Sequence, residues 1–377
     1  MNDIDIQNIN QYCDSGHVLK GFSLFVQEGS FVTILGPSGA GKTVALRVIA
    51  GAECPQSGQI RIGDRRVFDG ESGLCEVPAA RGAQFMFGAS TLIPHFSVLQ
   101  NVLQTQSIRE TPRYEQKQAA RKALDRAGIL ALTERAVNGL TAEEQHLVAL
   151  ARALMSNPSI LLVDELDRNM DARQRLHILT KLKRLQVKNN LTVFYATRDA
   201  RDAFRVSDRI AVLLGGRLAQ ADTPSGLYRC PVSLGVADYI GNSQINLIPG
   251  KAQFFEGRLT VQSSLGIYQF AAAGDTSALE PGALFDCVIG VRPDQIVLWD
   301  KEVSNTFSAE VMEAEFNGQD TLVHACVGNV RILARRMGCQ NYAKGERVFV
   351  AVDPESVNLY HQETGALLKR AQLAPPI

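Results

Sequence analysis

Ser30-Phe-Val-Thr-Ile-Leu35 runs directly into Gly36-Pro-Ser-Gly-Ala-Gly-Lys-Thr43, and a helical segment, Lys42 to Ala50, follows. The first stretch is uninterruptedly apolar and β-branched, which suits a strand buried on both faces. The second fits G-x-x-x-x-G-K-[ST], a phosphate-binding loop, in the strand-to-helix context that the motif requires. The chemistry explains the residue types. Glycines let backbone N–H groups curl around an anion, and the helix N-terminus adds partial positive charge. Gly36, Pro37, Ser38, Gly39, Ala40, Gly41, Lys42 and Thr43 are therefore the candidate nucleotide-binding set, with Lys42 for the outer phosphates and the Thr43 hydroxyl for Mg²⁺.

Such a site needs a second strand ending in an acid. Ile160-Leu-Leu-Val-Asp-Glu165 supplies one. Asp164 is the expected Mg²⁺ ligand, direct or through water, and Glu165 the candidate catalytic base or water-positioning group. Ala83 to Phe87, Thr192 to Ala196 and Ile210 to Leu214 are further short apolar runs. Alternation with helical segments predicts an α/β domain with a largely parallel sheet over residues 1–235. Between Thr111 and Ser156, Pro112 to Ile129 and Ala142 to Met155 carry a helical period with no convincing strand between them, so a helical insertion over about 89–156 is expected. Beyond the turn-rich Gly241 to Gly250, short strands such as Cys287 to Val291, Thr321 to His324 and Arg347 to Ala351 predict a second, all-β domain over 241–377.

Composition narrows the function class. At 377 residues the chain is long for one domain. Lys+Arg and Asp+Glu are equal at 39 each, so no net field draws in nucleic acid or an anionic membrane. The polar start lacks a signal-peptide pattern, and no apolar run is long enough to span a bilayer, which points to a soluble, cytoplasmic chain. Seven cysteines, an odd number with no C-x-x-C pair, read as unpaired thiols in a reduced compartment.

The order of these elements resembles the ABC ATPases along nearly the whole chain. Tyr12, 24 residues before Gly36, stands where that family stacks an aromatic ring on adenine; an ordinary edge-strand tyrosine is the alternative. Leu92-Ile-Pro-His-Phe-Ser-Val98 with Asn101-Val102 resembles the segment where the permease docks. Val148 to Leu154 resembles the helix after the signature motif, and Asn169-Met-Asp171 the D-loop. Leu227 to Pro231, Tyr239-Ile-Gly241 and Val291-Arg-Pro-Asp294 resemble the importer branch with a C-terminal OB/TOBE-like regulatory domain. The resemblance implies an ATP- and Mg²⁺-dependent importer subunit. It would pair with a second ATPase subunit and with permease subunits, indirectly serve a solute-binding protein, and sit peripherally at the cytoplasmic face of the membrane. A switch GTPase, the competing P-loop reading, has no place for the β-domain.

Three family positions are replaced. Gly88 stands for a glutamine that helps to place Mg²⁺ and water; its alternative role is a flexible turn. Leu140-Thr141-Ala142-Glu143-Glu144 stands for Leu-Ser-Gly-Gly-Gln, whose helix end holds the γ-phosphate of the opposite subunit. Thr141 and Glu144 have capping-box spacing, so this helix is expected to satisfy its own end. Two carboxylates lie in its first turn. Repulsion from one phosphate charge at 4 Å is about 4 kcal/mol at an effective dielectric near 20, which opposes closure unless the glutamates turn away or become protonated. Arg198 stands for a histidine; it can still meet a phosphate, or pair with Asp199 or Asp202. These departures imply weak hydrolysis and raise the alternative of an ATP-binding regulatory subunit that turns over little.

Overall fold

The computed structural model describes residues 2–14, 16–86, 88, 91–105, 112–166, 170–240, 245–256, 258–271, 280–303, 306–353 and 356–369. Phe87, Thr111, Asn169 and Gly241, named above, lie outside these residues. Contacts divide the chain into two compact units, Met1–Pro224 and Ser225–Ile377.

The first unit runs β1 (Ile4–Cys13), β2 (Gly16–Val26), β3 (Phe31–Leu35), α1 (Lys42–Ala50), β4 (Ser57–Ile62), β5 (Arg65–Asp69), β6 (Leu74–Cys75) and β7 (Ala83–Met86). It continues with α2 (Val98–Leu103), α3 (Arg113–Ala127), α4 (Ala142–Leu154), β8 (Ile160–Asp164), α5 (Ala172–Asn189), β9 (Thr192–Thr197), α6 (Ala200–Val206), β10 (Arg209–Leu214) and β11 (Arg217–Asp222). The central sheet has the order β11-β10-β3-β9-β8-β7. β10, β3, β9, β8 and β7 are mutually parallel, and only β11 joins antiparallel. This is the expected parallel sheet. Both of its faces are covered, which explains the uninterrupted apolar runs. Leu161 and Val163 of β8 join the core formed with α2 to α5, while Ile160 and Leu162 join the core under α1. The helical insertion appears as α2, α3 and α4.

A second sheet, β2-β1-β4-β5-β6, is wholly antiparallel and packs its inner side chains into the core under α1. It also corrects the reading of the cysteines. The turn-back from β5 to β6 brings Cys75 beside the loop that leaves α1, and Cys75 forms a disulfide with Cys54 at a Cα–Cα distance of 6.1 Å. Cys13, Cys230, Cys287, Cys326 and Cys339 form no disulfide. Next to the bridge, the buried Arg81 donates to the carbonyls of Val48 (2.9 Å) and Ile49 (3.1 Å) at the end of α1, and to Glu76 (2.8 Å). A guanidinium there satisfies carbonyls that the helix itself leaves open. Burial lowers its pKa to about 10.

Two short helices follow, α7 (Pro224–Arg229), which begins at the last residue of the first unit, and α8 (Leu234–Tyr239) of the second. The strands of the second unit are β12 (Asn246–Phe255), β13 (Arg258–Ser263), β14 (Gly266–Ala271), β15 (Leu284–Val291), β16 (Ile296–Trp299), β17 (Phe307–Phe316), β18 (Asp320–Val327), β19 (Val330–Met337), β20 (Arg347–Val352), β21 (Asn358–His361) and β22 (Leu367–Lys369). They form two antiparallel sheets, β14-β13-β12-β15-β21-β22 and β16-β20-β17-β18-β19, around one shared core. Ile248, Leu259 and Ile289 come from one sheet and Val311, Val323 and Val350 from the other. The expected all-β second domain is therefore present.

Candidate functional site

β3 ends at the loop that decides the site. Gly36 is fixed there by its N–H to the Thr197 carbonyl (3.3 Å), and a Cβ at this position would come within 2.3 Å of the Leu213 carbonyl oxygen. Only glycine fits that approach. Gly39 and Gly41 take positive φ, 79° and 98°, which glycine adopts without cost. Gly41 is also the N-cap of α1 and has no side chain with which to cap it. The first-turn amides of α1 therefore face the loop uncovered by any capping group.

Lys42 reaches back over this loop. Its Nζ donates to the carbonyls of Gly36 and Pro37, both at 2.9 Å, and lies 3.6 Å from Glu165 Oε1. The residue is only 6% exposed. Burial lowers its pKa, while the negative charges of Glu165 and Asp164 work in the opposite direction. Asp164 closes the other side at the end of β8. Its pKa is raised, first by burial and further by Glu165, while the Thr43 hydroxyl beside it works in the opposite direction. Asp164 Oδ1 is buried and has no hydrogen-bond partner. An orphaned carboxylate oxygen beside a threonine hydroxyl is a donor set suited to a hard divalent cation.

Glu165 sits at φ 35°, a left-handed conformation uncommon for a residue with a side chain. Its N–H bonds the Ala196 carbonyl at 3.1 Å, which fixes the turn. Ser38, Gly39, Gly41, Lys42, Thr43, Asp164 and Glu165 line one cleft of about 520 Å³. Sequence reading missed Cys13, Val18 and Val44 in the same wall, since none belongs to a motif.

The remaining expected positions surround this cleft or lie apart from it. Tyr12 is on β1, an internal strand of the antiparallel sheet, and not on an edge. Its ring stacks on His17 at 4.1 Å with 11° between planes and remains 53% exposed. Arg198 is exposed and close enough for its charge to act on Lys42. It joins Glu165, Leu166, Tyr195 and Thr197 around a smaller cavity of about 140 Å³. Asp199 and Asp202, offered as its alternative partners, line the same cavity and also meet other arginines. Arg175 meets Asp199 (3.6 Å) and Asp202 (3.3 Å), and Arg201 meets Asp199 (3.0 Å). Gly88 is exposed, and its carbonyl accepts the N–H (3.1 Å) and hydroxyl (3.0 Å) of Thr91, a turn. Asp171 caps α5 through the Gln174 N–H at 2.8 Å. Asn101, fully buried, ties the segment after Gly88 by bonds to the N–H (2.7 Å) and carbonyl (3.0 Å) of Ile93.

The altered motif folds as its spacing predicts. Thr141 is the N-cap of α4; its hydroxyl accepts the Glu144 N–H (3.2 Å), and Glu144 Oε2 accepts the Thr141 N–H (2.8 Å). Leu140 is buried just before the cap. Ala142 and Glu143 occupy the first turn, and Glu143 turns toward α5. One turn further on, His146 bonds the Ala142 carbonyl through Nδ1 at 2.9 Å.

Fold and site together define a P-loop nucleotide-binding cassette followed by a β-domain. Residues 19–167 match the ABC transporter family and residues 289–359 the TOBE domain. The chain is 32% identical to the trehalose/maltose import ATP-binding protein of Thermococcus litoralis, over 92% of this chain and 94% of that protein. It is 34% identical to the Fe(3+) ions import ATP-binding protein of Mannheimia succiniciproducens, over 85% and 90%. Among solved structures, the cassette resembles cbiO1 of Clostridium perfringens at 25% identity and a TM-score of 0.54, over 60% of this chain and 90% of that one. It also resembles the dimeric cassette MJ0796 bound to ADP and Pi at 28% identity and a TM-score of 0.50, over 59% and 98%. The chain belongs to the family of ABC importer ATP-binding subunits.

Proposed function

We propose that the chain binds Mg·ATP in the cleft between the Gly36–Thr43 loop and Asp164, and that closure of two such cassettes on the nucleotide drives permease subunits to import a solute. The carrying observation is the convergence of Lys42, Thr43, Asp164 and Glu165 on one cleft over an uncapped helix end. On this reading the loop amides of Gly36 to Thr43 hold the phosphates and Lys42 exchanges its two carbonyl bonds for phosphate oxygens. Thr43 and Asp164 would hold Mg²⁺, which neutralises phosphate charge when bound. Glu165 orients water and accepts its proton. Tyr12 offers its free ring face to the base, and Arg198 adds positive charge near the outer phosphate. Asp171 and the Leu140–Glu144 segment lie at the dimer side of the site.

The relatives' names cover sugars, ferric iron and spermidine/putrescine, and the solute of this chain falls in that range. Partnership with permeases places the subunit at the cytoplasmic face of the membrane; among the described residues no helix is long and apolar enough to cross it. Titration calorimetry tests the reading. Lys42→Ala should weaken Mg·ATP binding by about 100-fold, the worth of a charge-assisted contact near 3 kcal/mol. Equal affinity in a variant whose circular dichroism is unchanged would remove the assignment of the loop.

A further inference from the structure

The first turn of α4 holds two carboxylates where the opposite subunit's phosphate would approach. Glu144 is engaged locally, because it folds back onto the Thr141 amide. Glu143 is handled across the helix pair. Its Oε1 lies 2.6 Å from Nδ1 of His177 on α5. Lys181, one turn further along α5, is close enough to feel the Glu143 charge, and its ammonium lies over Gly128. His177 is largely exposed and Glu143 is not, so the contact is not forced by burial of the imidazole. The capping box engages the amides of Thr141 and Glu144 only. The amides of Ala142 and Glu143 belong to the first turn, which no helix can satisfy from within.

We propose that His177 is a positioning residue for nucleotide-driven dimerisation. It draws the Glu143 carboxylate toward α5, with Lys181 supporting, and keeps the mouth of α4 open to a phosphate carried by a second copy of this chain. This inference rests on the proposed pairing of cassettes around ATP. It explains how a helix end with two acids remains compatible with an approaching anion. One acid becomes part of the cap, and the other is tied to a base on the neighbouring helix.

The test uses the full chain with Mg²⁺ and a β,γ-imido ATP analogue, and reads dimer formation by sedimentation. His177→Ala should weaken dimerisation about tenfold, with analogue binding to the monomer unchanged by calorimetry. Glu143→Ala should dimerise at least as well as the parent. The double variant His177→Ala/Glu143→Ala should recover the Glu143→Ala value, because no carboxylate is left to hold back. Parent-like dimerisation in His177→Ala overturns the inference, and so does a double variant as weak as His177→Ala, which would mark a packing role. A parent chain that stays monomeric on the analogue overturns the pairing itself and this inference with it, and that result is visible before any variant is made.

Discussion

Two helix N-termini in one cassette, those of α1 and α4, solve the same backbone problem in opposite ways. Each leaves amides that the helix ladder cannot use. At α1 the N-cap is Gly41, with no side chain, and the loop glycines turn the amides toward a cleft lined by Lys42, Asp164 and Glu165. At α4 the N-cap is Thr141, and a reciprocal pair of bonds with Glu144 takes up two of the amides and leaves those of Ala142 and Glu143. The contrast shows that anion binding is not a property of helix ends as such. It depends on how many of those amides side chains of the same chain have already taken.

The uncapped end should be the less tolerant of the two. Gly36→Ala would put a Cβ 2.3 Å from the Leu213 carbonyl oxygen, a backbone atom that cannot step aside alone. Overpacking of this kind costs about 1–3 kcal/mol. For a unit of this size that lowers the melting temperature by roughly 2–4 °C per kcal/mol. The displaced loop should also lose nucleotide affinity by a factor larger than Lys42→Ala produces. Thermal melts and calorimetry on the same protein check both. A variant that melts and binds as the parent does would mean that the α1 end owes its openness to something other than this close approach.

How far the sequence reveals these two ends follows from the range of the interactions involved. The capping box at α4 is legible because both partners lie within three residues, and the phosphate loop because its glycines and lysine are contiguous. The parallel strands are legible because burial on both faces leaves them without polar interruption, as in Ile160 to Val163. The antiparallel sheet is not, since β1 carries register shifts at Ile6/Ile9, Ile9/Gln11 and Gln11/Tyr12 that break any period-two signal. The Cys54–Cys75 bridge, the Arg81 contacts with the end of α1 and the Glu143–His177 pair are equally hidden. Each joins residues brought together only by the fold, with no spacing rule to announce them.

The α1 end also carries an electrostatic cost. Burial raises the Asp164 pKa, with Glu165 adding to it. The folded chain therefore holds the Asp164 proton more tightly than the unfolded chain does. The stability linked to that proton is present below the unfolded pKa and is lost as pH rises through the folded one. Asp164→Asn should accordingly raise the melting temperature of the metal-free protein at neutral pH and change it little in acid. Mg²⁺ needs the ionised form, so the parent's Mg·ATP affinity should fall on acidification earlier than an ordinary carboxylate would allow. The asparagine variant should bind Mg·ATP weakly at every pH. A parent whose affinity falls only in the ordinary carboxylate range would show that Asp164 is not the titrating ligand.

The smallest effect should come from the capped end. Thr141→Ala removes the hydroxyl that accepts the Glu144 amide and leaves that amide to water, at about 1 kcal/mol of stability. Glu144 can still reach the residue-141 amide, so half of the box survives, and Thr141→Ser should restore the remainder. Binding of ATP to the isolated chain should be identical in all three proteins, because no atom of the cap lines the α1 cleft. Melting temperature and ATP affinity, measured side by side, separate the two ends. A Thr141→Ala variant that binds ATP less tightly at an unchanged melting temperature would tie the α4 end to the nucleotide of its own subunit and erase the division between an uncapped helix end and a capped one.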